Sequence, residues 1–122
     1  MTLFYVVDSL LPEISNARLT STAPNENYAK ASALLTLEFT VTDTNVLPAT
    51  SLFTILINGE TRTVVSSTVL DTVGKSKKLT FTWTVPASPS MTTVGYSITV
   101  LDVAGNARTQ AVANVIIIGM YA

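Results

Sequence analysis

Three segments of the chain alternate apolar and polar residues with a period of two, and this pattern constrains the fold most. The segments are residues 33–43, 78–85 and 96–100. Successive side chains of an extended strand point to opposite faces, whereas a helix would spread these apolar residues around its circumference. Each segment therefore predicts a β-strand with one buried face. The residues expected to point inward are Leu35, Leu37, Phe39, Val41, Leu79, Phe81, Trp83, Val85, Tyr96, Ile98 and Val100.

Turn-forming residues separate these strands from further ones. Asn58 and Gly59 both tolerate positive φ, so the pair predicts a two-residue type I′ hairpin. Residues 66–77 are polar and are expected to form a longer connection, with a short edge strand near Val69. No segment predicts a helix, and turn spacings of this kind are typical of an antiparallel β-sandwich of about seven strands. The remaining predicted strands are residues 14–19, 52–57, 60–65 and 107–118.

The strand that contains Tyr96 ends at a polar turn, which runs from Asp102 to Asn106. Gly105 and Asn106 tolerate positive φ, and the side chain of an aspartate can accept hydrogen bonds from nearby backbone N–H groups. We therefore expect a turn that is held by its own side chains. Asp102 is interpreted as a turn-former and not as a ligand or a catalytic base.

The run Asp102-Val103-Ala104-Gly105-Asn106, placed after a strand with a tyrosine, resembles the bacterial immunoglobulin-like domains. Such domains occur in tandem on cell-surface proteins and in phage virion proteins. The resemblance covers roughly residues 12–118 and implies an all-β, immunoglobulin-like antiparallel β-sandwich. The family has no shared catalytic residues to carry over. Three upstream segments fit the family's order, namely Pro12-Glu13-Ile14, Phe39-Thr40-Val41-Thr42-Asp43 and Leu56-Ile57-Asn58-Gly59.

Charge and composition argue against several classes of function. The formal net charge is -1 and charged residues make up 12% of the chain, about half the usual share. A nucleic-acid surface needs clustered basic residues, and the one short cluster, Lys75 with Lys77 and Lys78, is interpreted as a solvated loop. The chain has no histidine and no cysteine, which excludes imidazole or thiolate metal sites and the Ser-His-Asp arrangement. We expect no nucleic-acid partner, no catalytic residues and no enzyme activity.

The carboxylates leave one alternative open. The chain has 8 of them, and they form no motif of an acid–base pair. In an immunoglobulin-like sandwich, Glu13, Asp43, Asn45, Asp102 and Asn106 would approach one another at one end. Oxygen ligands suit calcium, although each of these residues also has a turn-forming role and no EF-hand spacing is present. We expect no cofactor, and calcium at this end is the alternative.

Both ends of the chain are apolar, with Leu3 to Val7 at one end and Val115 to Tyr121 at the other. We expect residues 1–11 to form an apolar N-terminal arm, followed by one sandwich domain over residues 12–122. The ends either pair within the monomer or mediate self-association and docking on a larger assembly. The apolar runs are too short to cross a bilayer, so no membrane insertion is expected. The first residues lack the positive region of a secretory signal peptide.

These observations predict a non-catalytic structural or adhesive module. A phage virion protein, either a capsid decoration or a fibre, fits best, together with a cell-surface protein that mediates assembly or attachment. The expected partners are capsid or tail proteins, neighbouring domains, or a glycan or protein of the host surface; the expected location is the virion or the cell exterior. The alternatives are a single repeat of a secreted bacterial adhesin and a carbohydrate-binding accessory domain. Sugar binding usually requires aromatic residues on one surface, whereas here they are scattered: Tyr5, Tyr28, Trp83, Tyr96 and Tyr121.

Overall fold

The computed structural model describes residues 11–44, 47–48, 53–87 and 92–119. Within these ranges the secondary structure consists of strands, and there is no helix. The predictions about residues 1–10, Asn45 and Tyr121 fall outside the described residues. The strands are β1 (Glu13–Ser21), β2 (Tyr28–Ala29), β3 (Leu34–Thr42), β4 (Thr54–Ile57), β5 (Glu60–Thr61), β6 (Ser66–Val69), β7 (Ser76–Thr84), β8 (Thr92–Leu101) and β9 (Ala107–Ile118).

The strands form two sheets that pack face to face. One sheet has the order β1-β3-β7-β6 and the other has the order β2-β9-β8-β4-β5. All neighbouring strands are antiparallel except β2 and β9, which pair in parallel at Tyr28–Ile117 and Ala29–Ile118. The sequence-based prediction of an all-β antiparallel sandwich is confirmed.

The core lies between the sheets, and it is built from the residues that the alternation placed inward. Every one of those residues is buried, from Leu35 on β3 to Val100 on β8. The rings of Phe39 and Phe81 stack with their centroids 5.7 Å apart and their planes within 2°. Burial of one large apolar side chain contributes about 1.5–3 kcal/mol, so this common face explains why the strands pack as a sandwich.

Three details differ from the predictions. Lys77 and Lys78, interpreted as part of a solvated loop, lie in β7 and pair with Val41 and Thr40. The expected strand at residues 60–65 ends after Thr61, because the chain there leaves one sheet for the other. Arg62 Nε donates a hydrogen bond of 2.8 Å to the carbonyl oxygen of Thr82 on β7, and Trp83 Nε1 donates to the carboxylate of Glu60. The short strand β2 was not predicted, whereas β6 confirms the edge strand near Val69.

The ladders define two ends of the sandwich, which we call the first and second poles. Glu13 pairs with Thr42, and Thr42 pairs with Ser76, so the start of β1, the end of β3 and the start of β7 lie at the first pole. Arg108 Nε donates a 2.6 Å hydrogen bond to the Pro12 carbonyl, which places the turn between β8 and β9 at the same pole. The second pole contains the hairpin at residues 58–59, whose positive φ values of 54° and 74° confirm the predicted turn.

Candidate functional site

The turn between β8 and β9 is built around the carboxylate of Asp102, which is 3% exposed. Its Oδ1 accepts hydrogen bonds from the backbone N–H of Ala104 at 3.0 Å and of Asn106 at 2.8 Å. Its Oδ2 accepts a hydrogen bond of 2.8 Å from the side-chain amide of Asn106. Gly105 has a φ of 90°, which glycine adopts without steric cost. The predicted side-chain-held turn is therefore confirmed, and the carboxylate stabilises the loop.

A second aspartate holds the connection between β6 and β7 in a similar way. Asp71 Oδ1 accepts hydrogen bonds from the backbone N–H of Gly74 at 2.8 Å and of Lys75 at 3.1 Å. The carbonyls of the same two residues accept bonds of 2.9 Å from the N–H of Leu47 and Asp43, respectively. This connection was interpreted as a plain loop, and the aspartate three residues before a glycine is the signal that could have identified it.

The predicted oxygen-rich cluster forms only in part. Glu13 and Asp43 line one cleft of about 320 Å³ at the first pole, together with Arg108. Asp102 and Asn106 do not line it, because their side chains are bonded within their own turn. Asn45 lies outside the described residues. The sequence therefore identified which two carboxylates converge, but it missed Arg108, whose contact with Pro12 is separated by 96 positions along the chain.

The mixed charge of this cleft determines which chemistry it favours. Calcium prefers six to eight oxygen ligands, whereas the guanidinium of Arg108 adds a positive charge beside Glu13 and Asp43. Like charges repel one another, and most strongly where water is excluded. Among the described residues no group of three or more acidic, histidine or cysteine side chains could hold a metal ion. Calcium at this end stays the alternative to the expected absence of a cofactor, and the mixed charge of the cleft does not favour it.

A larger cleft of about 740 Å³ lies at the second pole. Its walls come from residues 22–25 and 28–33, which are mostly small apart from Tyr28 and Lys30. Backbone bonds hold this loop to the end of β7, since Ser32 N donates to Val85 O at 3.1 Å and Val85 N donates to Ala33 O at 2.9 Å. Tyr28 is 39% exposed, whereas Trp83 and Tyr96 are buried. Of the aromatics considered for sugar binding, the described residues therefore expose only Tyr28.

No protein-family model matches the chain, and no curated protein matches it either. The part of the chain that the structure describes contains no helix with the length and apolar character needed to cross a membrane.

Proposed function

We propose that this chain is a non-catalytic, immunoglobulin-like structural or adhesive module of a virion or a cell surface. Two observations support the immunoglobulin-like assignment. The orders β1-β3-β7-β6 and β9-β8-β4 correspond, strand by strand, to the A-B-E-D and G-F-C orders of immunoglobulin sandwiches. The Asp102–Asn106 turn also lies between the last two strands, where the resemblance implied it.

The observation that carries the proposal is the mutual support of the loops at the first pole. Asp71 and Asp102 each hold their own turn, and backbone bonds link Asp43 to Lys75 and Leu47 to Gly74. Loops that are already ordered lose little conformational entropy when they bind a partner. The tips of the two turns expose Val73 and Val103 by more than half of their surface. A rigid surface with apolar tips and a polar surround suits recognition of a protein.

The location of the protein tests the class of function directly. An antibody raised against the purified chain is used for immunogold electron microscopy of virions and cells from the producing culture. Label on virions, or on the outer surface of the cells, supports the proposal, and the two patterns separate a virion protein from an adhesin repeat. Label confined to the cell interior contradicts it.

The surface used for attachment is tested by co-sedimentation with purified virions or cell envelopes from that culture. The double variant Val73→Asp/Val103→Asp should abolish sedimentation with the particles, because it places charge at both apolar tips. The control is Ala111→Asp, which alters an exposed residue of β9 outside both of the clefts described above. Equal sedimentation of the two variants would show that the first pole is not the contact surface.

One observation favours the carbohydrate-binding alternative, namely the exposed ring of Tyr28 on the cleft of the second pole. Aromatic rings with one accessible face pack against the apolar side of sugars. A glycan array tests this alternative, with Tyr28→Ala as the control. Specific glycan binding that the substitution removes would favour it over attachment through the first pole.

A further inference from the structure

The edge of β6 is available for pairing with another strand. Among the described residues β6 has one neighbour, β7. Leu70 N donates to Ser76 O at 2.8 Å, and the β6–β7 ladder keeps one register from Ser66–Thr80 to Val69–Lys77. Alternate residues of an antiparallel strand form bonds with the same neighbour. Leu70 bonds to β7, and Ser67 and Val69 lie an odd number of residues before it. Their backbone N–H and C=O groups therefore point away from β7.

The sequence around this edge is unusual for an exposed strand. Residues 63–70 carry no charge and contain neither proline nor glycine. All residues of β6 are exposed, and the exposed fractions of Val65, Val69 and Leu70 are 62%, 50% and 53%. Natural proteins protect edge strands with charges, prolines or bulges, and an unprotected apolar edge recruits another strand. The edge of β6 therefore has the character of a pairing surface.

We propose that the partner strand is β6 of a second copy of this chain, paired antiparallel about a two-fold axis at Ser67. The segment is symmetric in residue type about this position. In such a pair Ser66 lies opposite Thr68, Val65 opposite Val69, and Val64 opposite Leu70. A two-fold axis requires a self-complementary surface, and this register pairs hydroxyl with hydroxyl and apolar with apolar side chains.

The backbone phase agrees with the same register. Ser67 points its N–H and C=O outward, so two copies of Ser67 on the axis can exchange two hydrogen bonds. Val65 lies at a bend just before β6, and its N–H is bonded to Thr80 O at 2.8 Å, so the central bonds of the pair come from Ser67. The side-chain pattern selects Ser67 as the centre, and the outward direction of its backbone groups is compatible with that choice.

The charges that flank the segment select the antiparallel direction. Arg62 precedes the uncharged residues and Asp71 follows them. An antiparallel pair brings the Arg62 end of one copy near the Asp71 end of the other, whereas a parallel pair would bring Arg62 against Arg62. Opposite charges across strands stabilise pairing and like charges destabilise it. The inference goes beyond the proposed function, because it concerns contact between copies whichever partner the first pole binds.

Cysteine cross-linking tests the register. The chain contains no cysteine, so Ser67→Cys introduces a single thiol. In a hydrogen-bonded antiparallel pair the opposing Cα atoms lie about 5.5 Å apart, which is within the range that a disulfide bridges. Under mild oxidation we expect Ser67→Cys to form a covalent dimer at least about tenfold faster than a control thiol. The control is Ala111→Cys, an exposed residue of β9; equal rates would overturn the proposal.

Sedimentation equilibrium tests the interface without a cross-link. The unmodified chain should show a concentration-dependent dimer, and Val69→Lys should raise the dimer dissociation constant about tenfold or more, since it adds two charges to the pairing edge. The control is Val112→Lys, at a valine of β9 that is 38% exposed, and it should leave the constant unchanged. Circular dichroism melts establish that both variants are folded. A strict monomer at all concentrations, or equal shifts in both variants, contradicts pairing through β6.

Discussion

The two sides of the sandwich differ in how their outer strands are built: β1 and β9 lie on one side, where β2 covers β9 only at Ile117 and Ile118, and β6 lies on the other. On one side, β1 has a register shift between Ser15 and Arg18, and β9 has a larger one opposite Gly95. Each shift contains an asparagine in the left-handed region, Asn16 at a φ of 55° and Asn114 at 59°. On the other side, β6 pairs with β7 in one register. Bulges bend an edge and terminate its pairing, so the first side is protected and the second is open.

Charge also distinguishes β1 and β9 from the segment around β6. The protected side carries Arg18, whose guanidinium lies 3.1 Å from the carboxylate of Glu26, and Arg108, which bonds to the Pro12 carbonyl. An exposed ion pair contributes only about 0–1 kcal/mol to stability, so its larger effect is to keep charge along that side. The segment around β6 has no charge from residue 63 to residue 70. The difference teaches that edge protection in this fold is local, and the pairing that we propose between copies uses the unprotected side.

The largest loss of stability is expected when Trp83 is substituted, because this side chain connects the core to the crossover that leads into β6. Trp83 is 4% exposed, and its indole N–H donates to Glu60. Removal of a large buried aromatic costs about 3–5 kcal/mol, so Trp83→Ala should lower the urea midpoint strongly. Trp83→Phe is the matched control, which keeps most of the buried ring and removes the N–H donor. A midpoint that barely moves in Trp83→Ala would show that Trp83 is not part of the core.

Much of the core could be predicted from the sequence, because a strand with one buried face alternates apolar and polar residues along the chain. The alternation over β3 and β7 placed Leu35 to Val41 and Leu79 to Val85 correctly. The turn at Asp102 was also predictable, since its hydrogen bonds join residues at most four positions apart. Local patterns in the sequence are therefore enough to predict these strands and this turn without knowledge of the contacts between strands.

The strands β1 and β9 of the protected side were predictable, but their irregularities were not, because these arise from contacts between distant strands. Gly95 interrupts an alternating strand without a local reason, and the reason lies across the ladder at Val112 and Ala113. The strand β2 has only two residues and so no period. In the candidate site, the approach of Glu13 to Asp43 was expected from the strand order, whereas the place of Arg108 depends on a bond to Pro12.

The second prediction concerns the turn at which the protected strand β9 begins. Asp102→Ala removes the acceptor of two backbone N–H groups and of the Asn106 amide. Hydrogen bonds to a charged group contribute more than neutral ones, and we expect a loss of about 2–3 kcal/mol in the free energy of unfolding. Asp102→Asn retains an oxygen acceptor and should lose less than half as much. If Asp102→Ala and Asp102→Asn unfold at the same urea midpoint as each other, the carboxylate does not hold the turn.

The third prediction tests the bulge of β9 itself. A Cβ at position 95 would lie 2.3 Å from the carbonyl oxygen of Val112 and 2.7 Å from the Cα of Ala113. Both are backbone atoms, so Gly95→Ala must displace β9 and should cost about 2 kcal/mol. Amide hydrogen exchange of residues 112–115 should become faster. The control is Ser97→Ala, two residues along the same strand, which should change stability by less than about 0.5 kcal/mol. Similar losses in both variants would show that a Cβ at position 95 does not clash with the bulge of β9.

The smallest effect on stability tests what maintains the bulge of the protected edge, because the expected difference between glycine and alanine reverses sign within β1. Asn16 has a φ of 55°, which alanine adopts only at a cost of about 1–2 kcal/mol and glycine adopts freely. Asn16→Gly should therefore be more stable than Asn16→Ala in thermal unfolding. At neighbouring Ser15, which pairs with Thr40 in the regular part of β1, glycine should be less stable than alanine by about 0.5–1 kcal/mol. If alanine is the more stable residue at both positions, the left-handed residue is not what maintains the bulge, and the protection of this edge has another cause.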